Sequence, residues 1–85
     1  MKPLKLKSIR VGAGETQKDT AIALGMHPPQ YCDKENGKVA FSLDEIAKIV
    51  KHFNLEIKLV DEIFFDGQLT EALTNEQIAN LNKSA

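Results

Sequence analysis

Apolar positions recur at three- and four-residue spacing from Leu4 to Phe53, and the period then shortens to two. The first regime predicts four amphipathic helices. Leu4 to Val11 reads as the first, with Leu6, Arg10 and Val11 inward and Lys5, Lys7 and Ser8 outward; Gly12-Ala13-Gly14 closes it. Gln17–Leu24 is the second, with Ile22 and Leu24 available to a core. Thr16 precedes it as an N-cap, and Asp19 at the third helical position completes an acidic variant of the capping box. Pro28–Glu35 is the third: prolines suit a helix start, where the amide has no intrahelical partner. After a loop over Gly37–Phe41, Ser42 caps a fourth helix from Leu43 to Phe53, with Glu45 in the capping box. Its apolar face is Leu43, Ile46, Ala47, Ile49, Val50 and Phe53, and Asn54 ends it.

Leu55-Glu56-Ile57-Lys58-Leu59-Val60 alternates, which predicts a half-buried strand. A lone edge strand leaves backbone groups unpaired, so it needs a partner. Either a twin chain supplies it, or Ile63-Phe64-Phe65 does, with Asp66-Gly67 turning the chain into Gln68-Leu69-Thr70 as a hairpin. Thr74-Asn75-Glu76-Gln77 is a capping-box start and predicts a short terminal helix over Asn75–Leu81. The fold class is therefore mainly α, four helices followed by a β-strand or hairpin and a short helix. Residues 1–55 form the head and 56–85 an extension of the same compact unit.

Within the head, the spacing from Gln17 through Ala21, Gly25 and Met26 to Glu35-Asn36-Gly37-Lys38 is that of a helix-turn-helix. Ala21 is small where the two helices must cross. Gly25 reaches the left-handed conformation of a helix end without a Cβ penalty, and Asn36-Gly37 ends the next helix in the same way. These residues, with Ser42-Leu43-Asp44-Glu45-Ile46, Ile49, Phe53 and Leu55, resemble the Cro/phage-repressor (XRE) helix-turn-helix family over about residues 4 to 55. Arg10 and Glu35 stand at the separation of an Arg–Glu pair found in its lambda-repressor-like members. The resemblance implies a four-helix DNA-binding domain whose third helix enters the major groove.

It also implies roles. Gln17 bonds backbone phosphate and fixes register; Asn36 and Lys38 hold the next phosphates, although Asn36 serves equally as a C-cap. His27, Pro28, Pro29, Gln30 and Asp33 line the outer face of the third helix. Gln30 bonds adenine or a groove-edge phosphate, and Asp33 can accept from cytosine N4 while repelling phosphate. The prolines either touch a thymine methyl or only start the helix. Lys34 is a phosphate anchor or a side chain lying over the core edge. Tyr31 fills a core position, and Cys32 reads as a small half-buried residue. Ile57, Leu59, Ile63, Phe64 and Phe65 are the candidate dimerisation residues.

Composition narrows the partners further. With 85 residues there is room for one domain. No apolar run approaches the ~20 residues that span a bilayer, and Met1–Lys7 lacks the apolar core of a secretory signal. One cysteine excludes an internal disulfide, so a reducing, cytoplasmic setting is expected. His27 and His52 lack ligand spacing, and neither metal nor cofactor is expected. Net charge is −1, but residues 1–60 carry ten Lys/Arg against seven Asp/Glu, and 61–85 carry Lys83 alone against five carboxylates. A mildly basic head thus precedes an acidic tail. No nucleophile–base set and no glycine-rich phosphate loop is present, so no enzyme is expected. The expectation is a homodimeric regulator on a palindromic operator, of phage, antitoxin or autorepressor type. The alternative is a protein-interaction module on the same scaffold, with a protein partner for the acidic tail. The two differ in whether Ile63, Phe64, Phe65 and Leu69 are buried or form one exposed patch.

Overall fold

The computed structural model describes residues 1–68, which form five helices and, among those residues, no strand: α1 (Pro3–Gly12), α2 (Gln17–Ala23), α3 (Pro28–Glu35), α4 (Leu43–Phe53) and α5 (Ile57–Phe64). α1, α3 and α4 start at a proline or a capped serine. Pro3 opens α1 and Pro28-Pro29 opens α3. Both capping boxes form. Thr16 Oγ1 accepts from the Asp19 amide at 3.0 Å while Asp19 accepts from the Thr16 amide at 3.0 Å. Ser42 and Glu45 do the same at 3.1 and 2.8 Å.

Leu6, Ala21, Leu24, Tyr31, Phe41, Ile49, Leu55, Val60 and Ile63 make the core, so every helix contributes at least one residue to it. Phe41, in the loop before α4, is the hinge of an aromatic ladder. Its ring lies 6.0 Å from Tyr31 and 5.8 Å, edge-on, from Phe64. Three large apolar residues expected in the core are exposed instead: Val11 at 57%, Ile22 at 63% and Leu43 at 74%. Each lies about 100° off the buried stripe of its helix. On α1 that stripe is Leu6 and Arg10; on α2 it is Thr20, Ala21 and Leu24; on α4 it centres on Ile49.

The expected strand at Leu55–Val60 is a correction: from Ile57 the chain is helical. Six residues are too few to separate the two periods, and Leu55, Val60 and Ile63 also satisfy a helical face. The helix bonds its own backbone, which an unpaired strand cannot, and it finds a partner in α1. The Lys2 amide donates to the Ile63 carbonyl at 2.8 Å, and Lys5 pairs with Glu62. Asp66 and Gly67 both have positive φ, as a turn requires, but they follow α5 rather than join two strands. The remainder of the expected hairpin and the terminal helix over Asn75–Leu81 lie outside the described residues. The division at residue 55 falls in the link between α4 and α5. No helix among the described residues is long and apolar enough to cross a membrane.

Candidate nucleic-acid interface

α2 and α3 are joined by a turn built on Gly25. The Gly25 amide donates to the Ile22 carbonyl at 3.1 Å and the Met26 amide to Ala21 at 2.8 Å, with Gly25 at φ +71°. This doubly bonded helix end stops α2 and redirects the chain. Gly37 at φ +82° closes α3 in the same way, with Gly37 bonding Lys34 at 3.1 Å and Lys38 bonding Asp33 at 2.9 Å. Ala21 of α2 and Tyr31 of α3 are both fully buried.

A buried ion pair locks this arrangement to α1. Arg10 on α1 donates through Nε to Glu35 Oε2 at 2.8 Å and through Nη2 to Oε1 at 3.1 Å. Its Nη1 donates to the Glu15 carbonyl at 2.7 Å. Side-chain exposure is 7% for Arg10 and 1% for Glu35. Burial pushes the Glu35 carboxyl up, but the Arg10 guanidinium, the neighbouring Tyr31 hydroxyl and the Gln17 amide outweigh it and hold it below the usual carboxylate range. The reciprocal bond to Glu35 raises Arg10 above its ordinary value. The Tyr31 hydroxyl is buried without a hydrogen bond of normal geometry, and burial, then Glu35, push its phenol far up.

A second, looser junction was not foreseen from the sequence. Glu15, in the α1–α2 link, accepts from Thr20 Oγ1 at 2.7 Å and meets His52 Nε2 of α4 at 2.9 Å. Those bonds, His52 first and Thr20 second, hold the Glu15 carboxyl below its ordinary value. The 37-residue separation of Glu15 and His52 leaves no local signal to read.

The expected contact residues divide into four groups. His27, Pro29, Gln30 and Asp33 are exposed on or beside α3, and Pro28 is half-buried at its first position. Asn36 and Lys38 are exposed at its end, where Asn36 is the C-cap and also donates from Nδ2 to Cys32 Sγ at 3.5 Å. Gln17 is half-buried and turned inward: its Nε2 donates to Glu35 Oε1 at 3.2 Å, which commits one of its two N–H groups. Lys34, read as a phosphate anchor or a side chain over the core edge, is held inward. Its ammonium sits on both oxygens of Glu45 at 2.6 and 2.8 Å with 11% side-chain exposure, so it clamps α3 to the start of α4. Lys18, exposed beside Gln17, is absent from the expected set although it is open to solvent at the same helix start.

The dimerisation candidates also divide. Ile63 is fully buried within one chain and therefore belongs to the core. Leu59, Phe64 and Phe65 pack partly against that core, and Ile57 is half-buried. Among the described residues no cluster of His, Cys, Asp and Glu could hold a metal ion. In comparison with known proteins, no family model, no curated protein and no solved structure matches the chain.

Proposed function

We propose that the chain is a sequence-specific DNA-binding regulator of the helix-turn-helix type, similar in its head to lambda-repressor-like domains. One observation carries the reading. α2 and α3 are fixed to each other by the Gly25 turn and the Gln17–Glu35 bond and braced on α1 by the Arg10–Glu35 pair, while no described element packs on the outer face of α3: His27, Pro29, Gln30 and Asp33 are exposed together. A rigid helix offered to solvent on a second, bracing helix suits insertion into a major groove about 12 Å wide. Gln17, Asn36 and Lys38 then hold phosphates on either side of it. The regulator acts as a homodimer in the cytoplasm, occluding a promoter, with the open parts of Ile57, Leu59, Phe64 and Phe65 as the contact between copies.

The interaction-module alternative turns on an exposed patch of Ile63, Phe64, Phe65 and Leu69, of which Leu69 lies outside the described residues; Ile63, Phe64 and Phe65 are the described ones. Their packing within the chain lends it no support there.

The test is binding to the DNA upstream of the chain's own gene, in the presence of excess scrambled duplex. Competitor-resistant binding is expected. Equal affinity for the scrambled duplex at low salt, by a protein folded by circular dichroism, overturns the reading.

A further inference from the structure

We propose that Asp33 is a base-reading residue that selects cytosine and rejects thymine and guanine at one position of each half-site. The inference rests on the DNA-binding reading above and deepens it.

Asp33 is exposed on α3, one turn beyond Pro29 and Gln30, on the side away from buried Tyr31 and Glu35. Residues three and four apart share a helix face, so the three side chains form one surface. Proline has no hydrogen-bonding side chain, which leaves Gln30 and Asp33 as the polar groups of that surface.

Among the described residues nothing cancels the charge on Asp33. Its neighbour Lys34 has its ammonium on Glu45, at 2.6 and 2.8 Å. Arg10 is buried on Glu35, and Lys5 pairs with Glu62. Among the described residues the Asp33 carboxylate makes no ion pair, and the bond from the Lys38 amide goes to its backbone carbonyl.

An unpaired carboxylate on a surface that approaches a polyanion weakens binding to every sequence but one class. It gains only where a base edge offers a donor. Cytosine N4 is such a donor and is flanked by an apolar C5–H. Thymine O4 and guanine O6 and N7 are acceptors and repel it, and adenine sets its amine beside the N7 acceptor. A free carboxylate here therefore works mainly by exclusion.

Selection from random duplex DNA with the wild type, Asp33→Ala and Asp33→Asn tests this, followed by affinities on the selected sites. The wild type is expected to fix cytosine at one position per half-site, and replacing it by thymine should weaken binding about 5- to 150-fold. With Asp33→Ala that ratio should fall to within about threefold while other positions keep their preferences. Asp33→Asn should move the preference to adenine, which Asn recognises through N6 and N7. Identical base preferences for all three proteins, or a loss equal across sequences, overturn the role of Asp33 and leave the DNA-binding reading standing. A wild type that selects no sequence overturns both.

Discussion

Replacing Arg10 by methionine isolates the ion pair that joins α1 to the end of α3. The substitution keeps much of the side-chain volume and removes three donor bonds, two to Glu35 and one to the Glu15 carbonyl. Glu35, at 1% exposure, is left with the 3.2 Å bond from Gln17. An uncompensated buried carboxylate of this kind costs about 3–5 kcal/mol. A chain of this length has roughly 4–13 kcal/mol in total. Arg10→Met should therefore lose a large fraction of the stability at pH 7. With a urea dependence of about 1–3 kcal/mol per molar, the midpoint should fall by about 1–5 M.

The pH dependence separates this cause from lost packing. In the wild type the Glu35 pKa is depressed, so its stabilisation is present above the unfolded value of about 4.3 and is lost as pH falls through the folded value. Without Arg10, burial dominates and raises the carboxyl instead. The penalty then stands above the raised value and shrinks as pH falls and Glu35 takes up a proton. The gap between wild type and Arg10→Met should narrow from pH 7 to pH 5. The double variant Arg10→Met/Glu35→Leu, with no charge left to bury, should recover to within about 1 kcal/mol of wild type or exceed it. Urea melts followed by circular dichroism measure all three. A cost under about 1 kcal/mol for Arg10→Met, or a double variant no better than the single one, refutes the reasoning.

Three further outcomes follow from the fold. Gly25→Ala places a Cβ at φ +71°, with no atom within 4 Å of it, so its cost is conformational alone: about 1–2 kcal/mol in a urea melt, and no change would mean the turn relaxes freely. Phe41→Ala removes the ring shared by Tyr31 and Phe64 and should cost about 3–5 kcal/mol; a loss below 1 kcal/mol would show that the ladder does not join the loop to α5. Because Glu15 titrates below its ordinary value, chiefly through His52, its contribution is present above the unfolded pKa and fades as pH falls through the folded one. His52→Ala should move the Glu15 titration upward in carbon-detected NMR, and an unmoved curve would rule the His52 contact out as its cause.

The helix starts and stops were readable because their chemistry is local. Thr16 with Asp19, Ser42 with Glu45, Pro28-Pro29, Gly25 and Gly37 each act within a few residues, and α3 and α4 have the boundaries expected of them. Arg10 with Glu35 was legible only through the resemblance, since nothing local announces a contact across a separation of 25 residues. Leu55–Val60 misled because its alternation is shorter than the window that distinguishes a strand from a helix, and the deciding factor was α1 as a packing partner. Lys34 stayed open between two readings for a related reason. A lysine beside an open helix face reads as a phosphate anchor until its distance to Glu45, set by the α3–α4 crossing, is known.

That commitment of cations changes the electrostatics of the candidate interface. Residues 1–60 carry ten Lys/Arg, but Arg10, Lys34 and Lys5 are spent on Glu35, Glu45 and Glu62. Among the described residues, Lys18 at the start of α2 and Lys38 after the end of α3 are the exposed cations at those two termini. If each neutralises one phosphate, a dimer neutralises about four, and log affinity should fall against log salt with a slope near −3.6. Gln17 and Asn36 add hydrogen bonds to phosphate without adding to that slope. Titrations with the selected duplex between 50 and 200 mM salt, roughly the range over which counterion release dominates, read it directly. Lys38→Ala should reduce the slope by about two in the dimer and leave base preferences intact. A wild-type slope steeper than about −6 would require cations from elsewhere on the chain to reach DNA. It would refute a docking face confined to α2, α3 and the turn that follows.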